Sequence, residues 1–164
     1  MSMSDMIEIL QKQLSLYERL LVCEEEKKPL ILANEVVKLN VLTQKEKLLT
    51  AQADELETSR LLMTARHFKD LGFRKRSGVL SDLIKSVNHP EEKLRLMEMH
   101  DRLTAVLTRL KQINEENQAL IQQSLDFVNF SISLMVEDPN EDVVYQHPMN
   151  QAYGKKRNWY DSRA

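Results

Sequence analysis

The sequence predicts an all-α protein: an elongated antiparallel helical hairpin or three-helix bundle with coiled-coil-like packing, followed by a disordered C-terminal tail. Three observations carry that expectation. The 164 residues include only three Gly, four Pro and 5% aromatics against 29% charged residues, a composition that favours helices around a thin core of Leu, Met, Ile and Val. Met99, Val106, Ile113, Leu120, Phe127 and Leu134 recur every seven residues, and neither Pro nor Gly interrupts the chain between Pro90 and Glu137. Pro29, Gly72, Asn88-His89-Pro90 and Asp138-Pro139-Asn140 punctuate the rest. The expected organisation is one helical domain over 1–137, with helices at about 4–27, 35–71, 79–87 and 91–136, and a flexible tail over 138–164.

Ser4-Asp5 can cap the first helix, with Asp5 near its positive end. Met3, Ile7, Leu10, Leu14, Tyr17 and Leu21 form one apolar stripe, and Ile9, Leu16, Leu20 and Cys23 widen it. A helix with two adjoining stripes is expected to touch two others. Pro29 should end or kink this helix near Lys27-Lys28, since proline lacks the amide proton and crowds the preceding turn. Asn34 then serves as the expected cap of the second helix, in which Val41/Leu42, Leu48/Leu49, Leu56 and Leu62/Met63 recur every seven residues. Gly72 supplies the permissive backbone past its end, and Arg74-Lys75-Arg76 in the loop reads as solvated charge. Val79, Leu80, Leu83, Ile84 and Val87 make a short helix over the end of the hairpin. Pro90 and the acids Glu91 and Glu92 start the longest helix.

That last helix has two oddities. Asn114, Asn117 and Ser124 fall on its apolar side facing the second helix, where they would need partners and could fix the packing register. Towards its end the apolar residues leave their lane: Phe127, Val128, Phe130, Ile132, Leu134, Met135 and Val136 cannot share one face when successive residues turn about 100°. The helix is expected to span roughly 69 Å against roughly 54 Å for the second, at about 1.5 Å per residue. If the first helix folds back at Pro29, 127–136 overhangs its neighbours. If the first two helices stay collinear through a kink there, the long helix is covered throughout. The tail reads as disordered, yet it carries Val143, Val144, Tyr145, Met149, Tyr153, Trp159 and Tyr160.

Composition also narrows the chemistry. A formal net charge of −2 argues against nucleic-acid binding. A single cysteine, Cys23, fits a reducing compartment and reads as a buried, inert thiol. The start of the chain lacks the basic and apolar regions of a signal peptide, and no uninterrupted apolar run reaches the roughly 20 residues of a membrane span. The residues three before His67, His89, His100 and His147 are Thr64, Ser86, Met97 and Val144, so the Glu-x-x-His pairs of a di-metal bundle are missing. His100, beside Met99, reads as a half-buried structural histidine. Neither a phosphate-cradling loop nor a nucleophile elbow is present. The expectation is a cytoplasmic protein that is not an enzyme and needs no cofactor.

Several segments, in order, resemble the FlgN-type flagellar export chaperones, a family that serves type III secretion. Leu110-Lys-Gln-Ile-Asn114-Glu-Glu-Asn117-Gln-Ala-Leu120 is similar to the family's Asn-x-x-Asn segment, and the likeness continues through Ser124-Leu125-Asp126-Phe127-Val128-Asn129. Leu42-Thr43-Gln44-Lys45-Glu46-Lys47-Leu48-Leu49 looks like its Lys-Glu helix, and Val79-Leu80-Ser81-Asp82-Leu83 like its connector. Asp142-Val-Val-Tyr145 resembles the start of its tail, and Tyr160-Asp161-Ser162-Arg163-Ala164 its ending. The chain departs at Lys28-Pro29-Leu30, where the family more often has a Gly-Asp-like turn.

The resemblance implies a chaperone that binds the C-terminal segments of hook-associated (hook–filament junction) proteins, prevents premature assembly and presents them to a membrane protein of the export gate. It places cargo binding towards the C-terminal helical region, here Leu120, Ile121, Leu125, Phe127, Val128, Phe130, Ile132, Leu134 and Met135. It associates gate docking with a tail tyrosine, Tyr145 or Tyr153. Neither metal nor nucleotide is implied. Two alternatives stay open: a structural coiled-coil homo-oligomer, such as a homodimer seamed along the long helix, and a sister chaperone for another flagellar subunit.

Overall fold

A computed structural model describes residues 2–73 and 78–136. These form α1 (Met3–Leu32), α2 (Val36–Asp70), α3 (Leu80–Ser86) and α4 (Pro90–Val136), with no strand among the described residues, so the all-α class holds. The basic run Arg74-Lys75-Arg76 and the expected tail over 138–164, with Tyr145 and Tyr153, lie outside the described residues. The chain divides into two units, Met1–Phe127 and Val128–Ala164. All of α1, α2 and α3 belong to the first, with α4 as far as Phe127.

The first helix departs from expectation at both ends. Its cap is Ser2, whose hydroxyl accepts from the Ser4 amide at 3.2 Å, so the helix begins before Ser4-Asp5. At the other end it runs through Pro29 to Leu32 instead of stopping near Lys27-Lys28. Proline removes the amide that would bond the Glu25 carbonyl, but Pro29 and Glu25 are both exposed, so water can take that bond. Two residues further on, Ile31 is buried, and its burial favours carrying the helix forward.

Asn34 closes α1; it does not cap α2. Its φ of 53° is the left-handed conformation that Asn tolerates better than most residues. The amides of Glu35 and Asn34 donate back to the carbonyls of Leu30 at 3.0 Å and Ile31 at 3.2 Å, the paired bonds of a Schellman motif. Glu35 becomes the residue flanking α2, with no side-chain capping bond. Gly72, at φ 80°, repeats the device after α2. There the Phe73 and Gly72 amides reach Phe68 and Lys69, each at 3.0 Å, and the Phe73 ring meets Phe68 edge-on with centroids 6.0 Å apart.

Cross-helix contacts set the directions within the first unit. Gln13 meets Glu57 and Lys27 meets Glu46, so α1 and α2 are antiparallel. Arg102 faces Glu18 and Asn117 faces Glu24, so α4 runs parallel to α1. The chain therefore folds back at 33–35, and the collinear alternative does not occur. The wide face of α1 does touch two helices. Leu16, Leu20 and Cys23 pack with Leu42, Leu49 and Ala53 of α2. Met6, Ile7, Leu10 and Leu14 pack with Leu96, Met99 and Leu103 of α4, closed by Leu83, Ile84 and Val87 around α3. Ser86 fixes α3 to α2: its hydroxyl donates to the Leu83 carbonyl at 2.6 Å and so must accept from His67 Nε2 at 2.8 Å.

Replacing Asn34 by Val forces a β-branched residue into the left-handed region, and equilibrium urea unfolding should report a loss of about 1–2 kcal/mol. Asn34→Gly, which suits that backbone, should match or exceed the wild-type stability.

Candidate functional site

A buried polar cluster joins three helices. Glu24 of α1 is buried, and its carboxylate takes Lys27 Nζ at 2.8 Å from its own helix and Asn117 Nδ2 at 3.0 Å from α4. The same Nδ2 donates to the Glu24 backbone carbonyl at 2.7 Å. Lys27 also pairs with Glu46 of α2. Burial alone would raise the Glu24 carboxyl, but hydrogen bonds from Lys27, Glu46 and Asn117, with the Lys27 charge, hold it below the usual carboxylate range. Glu46 goes the other way: burial raises it and the adjacent Glu24 adds to that, against the opposing pull of Lys27. The two carboxyls are therefore driven apart, with Glu46 the more easily protonated of the pair.

Only one of the three polar residues singled out on the long helix sits in this cluster. Asn117 is buried, but its partner lies on α1, not on α2 as expected. Asn114 is half-buried and accepts from Gln118 along its own helix. Ser124 is half-buried too and donates to the Leu120 carbonyl one turn back. A serine on a helix can satisfy itself this way, which is why its presence in the apolar lane did not require a partner helix. Sequence reasoning missed Glu24 and Lys27, which stand in the run Glu24-Glu25-Glu26-Lys27-Lys28 and give no periodic signal. It also missed a second polar contact, where Arg60 grips Glu57 through two bonds of 2.8 and 2.6 Å while buried Gln13 adds a third at 2.8 Å.

Asn117 is also the last buried residue of α4. Along the seven-residue repeat, Met99 and Ile113 are buried and Val106 and Leu120 half-buried. Phe127 is 71% exposed. Burial thus ends about ten residues before the expected overhang at Phe127. Of the residues expected to bind cargo, Leu120 is half-buried and Ile121, Leu125 and Phe127 are exposed at the end of the first unit. In the second unit Val128, Phe130, Ile132, Leu134 and Met135 are all exposed, Phe130 at 62% and Met135 at 85%. One 18-residue window of α4 reaches mean hydropathy 1.2 with none of it buried. By length and composition that window could cross a membrane, although Gln122, Gln123, Asp126 and Asn129 break up the apolar end of the helix. Among the described residues no group of His, Cys, Asp and Glu is placed to hold a metal ion. Cys23 is buried, and burial raises its thiol further from the reactive thiolate. His100 is half-buried beside Asp101, its ring Nδ1 lying 3.4 Å from that carboxylate.

Comparison with known proteins supplies the class. The family model described as FlgN protein matches residues 1–153. A protein of Bacillus subtilis (strain 168), described as uncharacterized protein YvyG, is 30% identical over 141 residues, covering 85% of this chain and 84% of that one. No solved structure matches. The chain belongs to the FlgN family, and in general terms it is a flagellar export chaperone, a class of binding protein rather than of enzyme.

The cluster makes opposite predictions for its two acids. Because the Glu24 pKa is lowered on folding, its contribution is complete above the unfolded value of 4.5 and is lost as the pH falls through the folded value. The raised Glu46 costs stability as the pH climbs from 4.5 through its folded value. Glu46→Gln, which removes the titrating group at that position, should flatten the decline above pH 4.5 in urea titrations while leaving the acid-side loss in place. Asn117→Asp sets a third carboxylate against Glu24 and should cost about 3–5 kcal/mol near neutral pH in the same assay.

Proposed function

We propose that this FlgN-family protein is a cytoplasmic chaperone of flagellar type III export that binds the C-terminal segments of hook-associated proteins, keeps them from assembling early and delivers them to the export gate. The observation that carries this reading is the character of α4 beyond Asn117, where apolar side chains continue on several faces while burial stops. A monomer gains nothing by facing Phe130, Ile132 and Met135 to water, whereas an amphipathic segment of another protein could cover them. Each side chain so covered contributes about 1.5–3 kcal/mol gross. Ordering a flexible segment costs roughly 2–5 kcal/mol. Four or five such residues therefore suit a chaperone that must let its cargo go.

The assigned cargo residues are Leu120, Ile121, Leu125, Phe127, Val128, Phe130, Ile132, Leu134 and Met135. The export gate is a membrane protein in this scheme, and family resemblance assigns Tyr145, with Tyr153 as the alternative, to contact with it. Isothermal calorimetry of the full chain against C-terminal peptides of hook-associated proteins tests the cargo assignment. Phe127→Asp and Phe130→Asp should each weaken binding at least about tenfold, since each loses a buried aromatic, with helicity by circular dichroism unchanged. Wild-type affinity in both variants would remove the assigned surface, and no binding by the wild type would remove this class of cargo.

A further inference from the structure

The apolar pairs of α2 do not all face inward. Leu42 is 8% exposed and its neighbour Val41 68%; Leu49 is 3% exposed and Leu48 68%. Val37 and Leu62 are exposed as well. Val41, Leu48, Glu55 and Leu62 stand seven residues apart, and Val37, Gln44, Ala51 and Thr58 form a second row beside them. Together the two rows are the a and d positions of a heptad repeat, nearly opposite the face that α2 turns to α1. Nothing among the described residues covers them, and the function proposed above does not use them.

The charges beside this lane are divided along its length. Lys45, Lys47 and Lys38 (paired with Glu35) accompany the first half; Asp54 and Glu55 follow in the middle, and Arg66 and Lys69 stand past Leu62 at the far end. Lys47 and Asp54 form no ion pair within the chain among the described residues. Two such surfaces turned end for end can set Lys47 of one copy beside Asp54 of the other.

We propose that two copies of this chain pair antiparallel through the outer lane of α2. In that register Leu48 stacks over the partner's Ala51, Leu62 over the partner's Val37 and Val41 over the partner's Thr58. Large residues thus meet small or medium ones in each apolar layer. Glu55 falls opposite the partner's Gln44, a polar layer that fixes the alignment, and Lys47 flanks the partner's Asp54. A parallel pair would press Glu55 against the partner's Glu55 inside the seam, which like charges oppose. The seam expected along α4 is not available in the same way, because Met99, Leu103 and Ile113 are already buried within one chain.

Sedimentation equilibrium of the full chain at tens of micromolar tests this, and the expected result is twice the single-chain mass of 19.2 kDa. Leu48→Glu, on an exposed site that should leave helicity intact, is expected to weaken pairing more than about tenfold. Lys47→Asp should weaken it severalfold, and adding Asp54→Lys to the same chain should restore it to within about twofold. A single-chain mass throughout, a dimer indifferent to Leu48→Glu, or a double swap no better than Lys47→Asp would each overturn the proposal. Phe130→Asp should leave the dimer unchanged, so failure here and failure of the cargo surface are read separately.

Discussion

The Glu24 carboxylate is buried where α1, α2 and α4 come together, and each helix supplies part of what keeps it there. Lys27 provides the charge from α1, Glu46 a second acid from α2, and Asn117 an amide from α4. Removing a carboxylate from water costs several kcal/mol, which no single one of these contacts offsets. The three-helix arrangement therefore satisfies the group only when all of its parts are in place. Leucine lanes with a seven-residue repeat can slide by a repeat and still bury apolar surface. An amide that must find both the Glu24 side chain and the Glu24 carbonyl cannot slide at all.

The segments that resemble the FlgN family gain a physical meaning from this cluster. Glu46 lies in the Lys-Glu stretch of α2 and Asn117 in the Asn-x-x-Asn stretch of α4, and both converge on Glu24 and Lys27 of α1. Their role is to set the register in which α4 runs beside α1. Burial of α4 ends at that anchor. The polar contact that aligns the helix thus also marks where its covered part stops, and the proposed cargo residues are those that follow.

On α2 the same economy produces two faces. Leu42, Leu49 and Ala53 face α1, while Val37, Val41, Leu48 and Leu62 remain outside. Adjacent apolar residues separated by about 100° cannot both enter one helix–helix contact. A helix with paired leucines every seven residues therefore has either two neighbours or one neighbour and an open lane. α1 has two neighbours, and α2 keeps the open lane.

Much of this was legible in the chain itself. The helix count, the class, the two-sided packing of α1, the start of α4 at Pro90 and the stop at Gly72 follow from periodicity and from residues whose backbone preferences are local. The apolar excess near the end of α4 was legible too, because it is a violation of that periodicity. Tertiary contact decided the rest. Pro29 was passed over because its lost bond faces water while Ile31 beyond it is buried. Asn34 closed one helix rather than opening the next because its left-handed backbone satisfies the carbonyls of Leu30 and Ile31. Burial of Glu24 and the choice of Asn117 over Asn114 and Ser124 depend on which residue of a distant helix lies opposite, and no local pattern records that. Periodicity and local backbone preference set which residues could form helices and which faces were apolar; packing chose which of those faces were covered, because coverage is a property of neighbours.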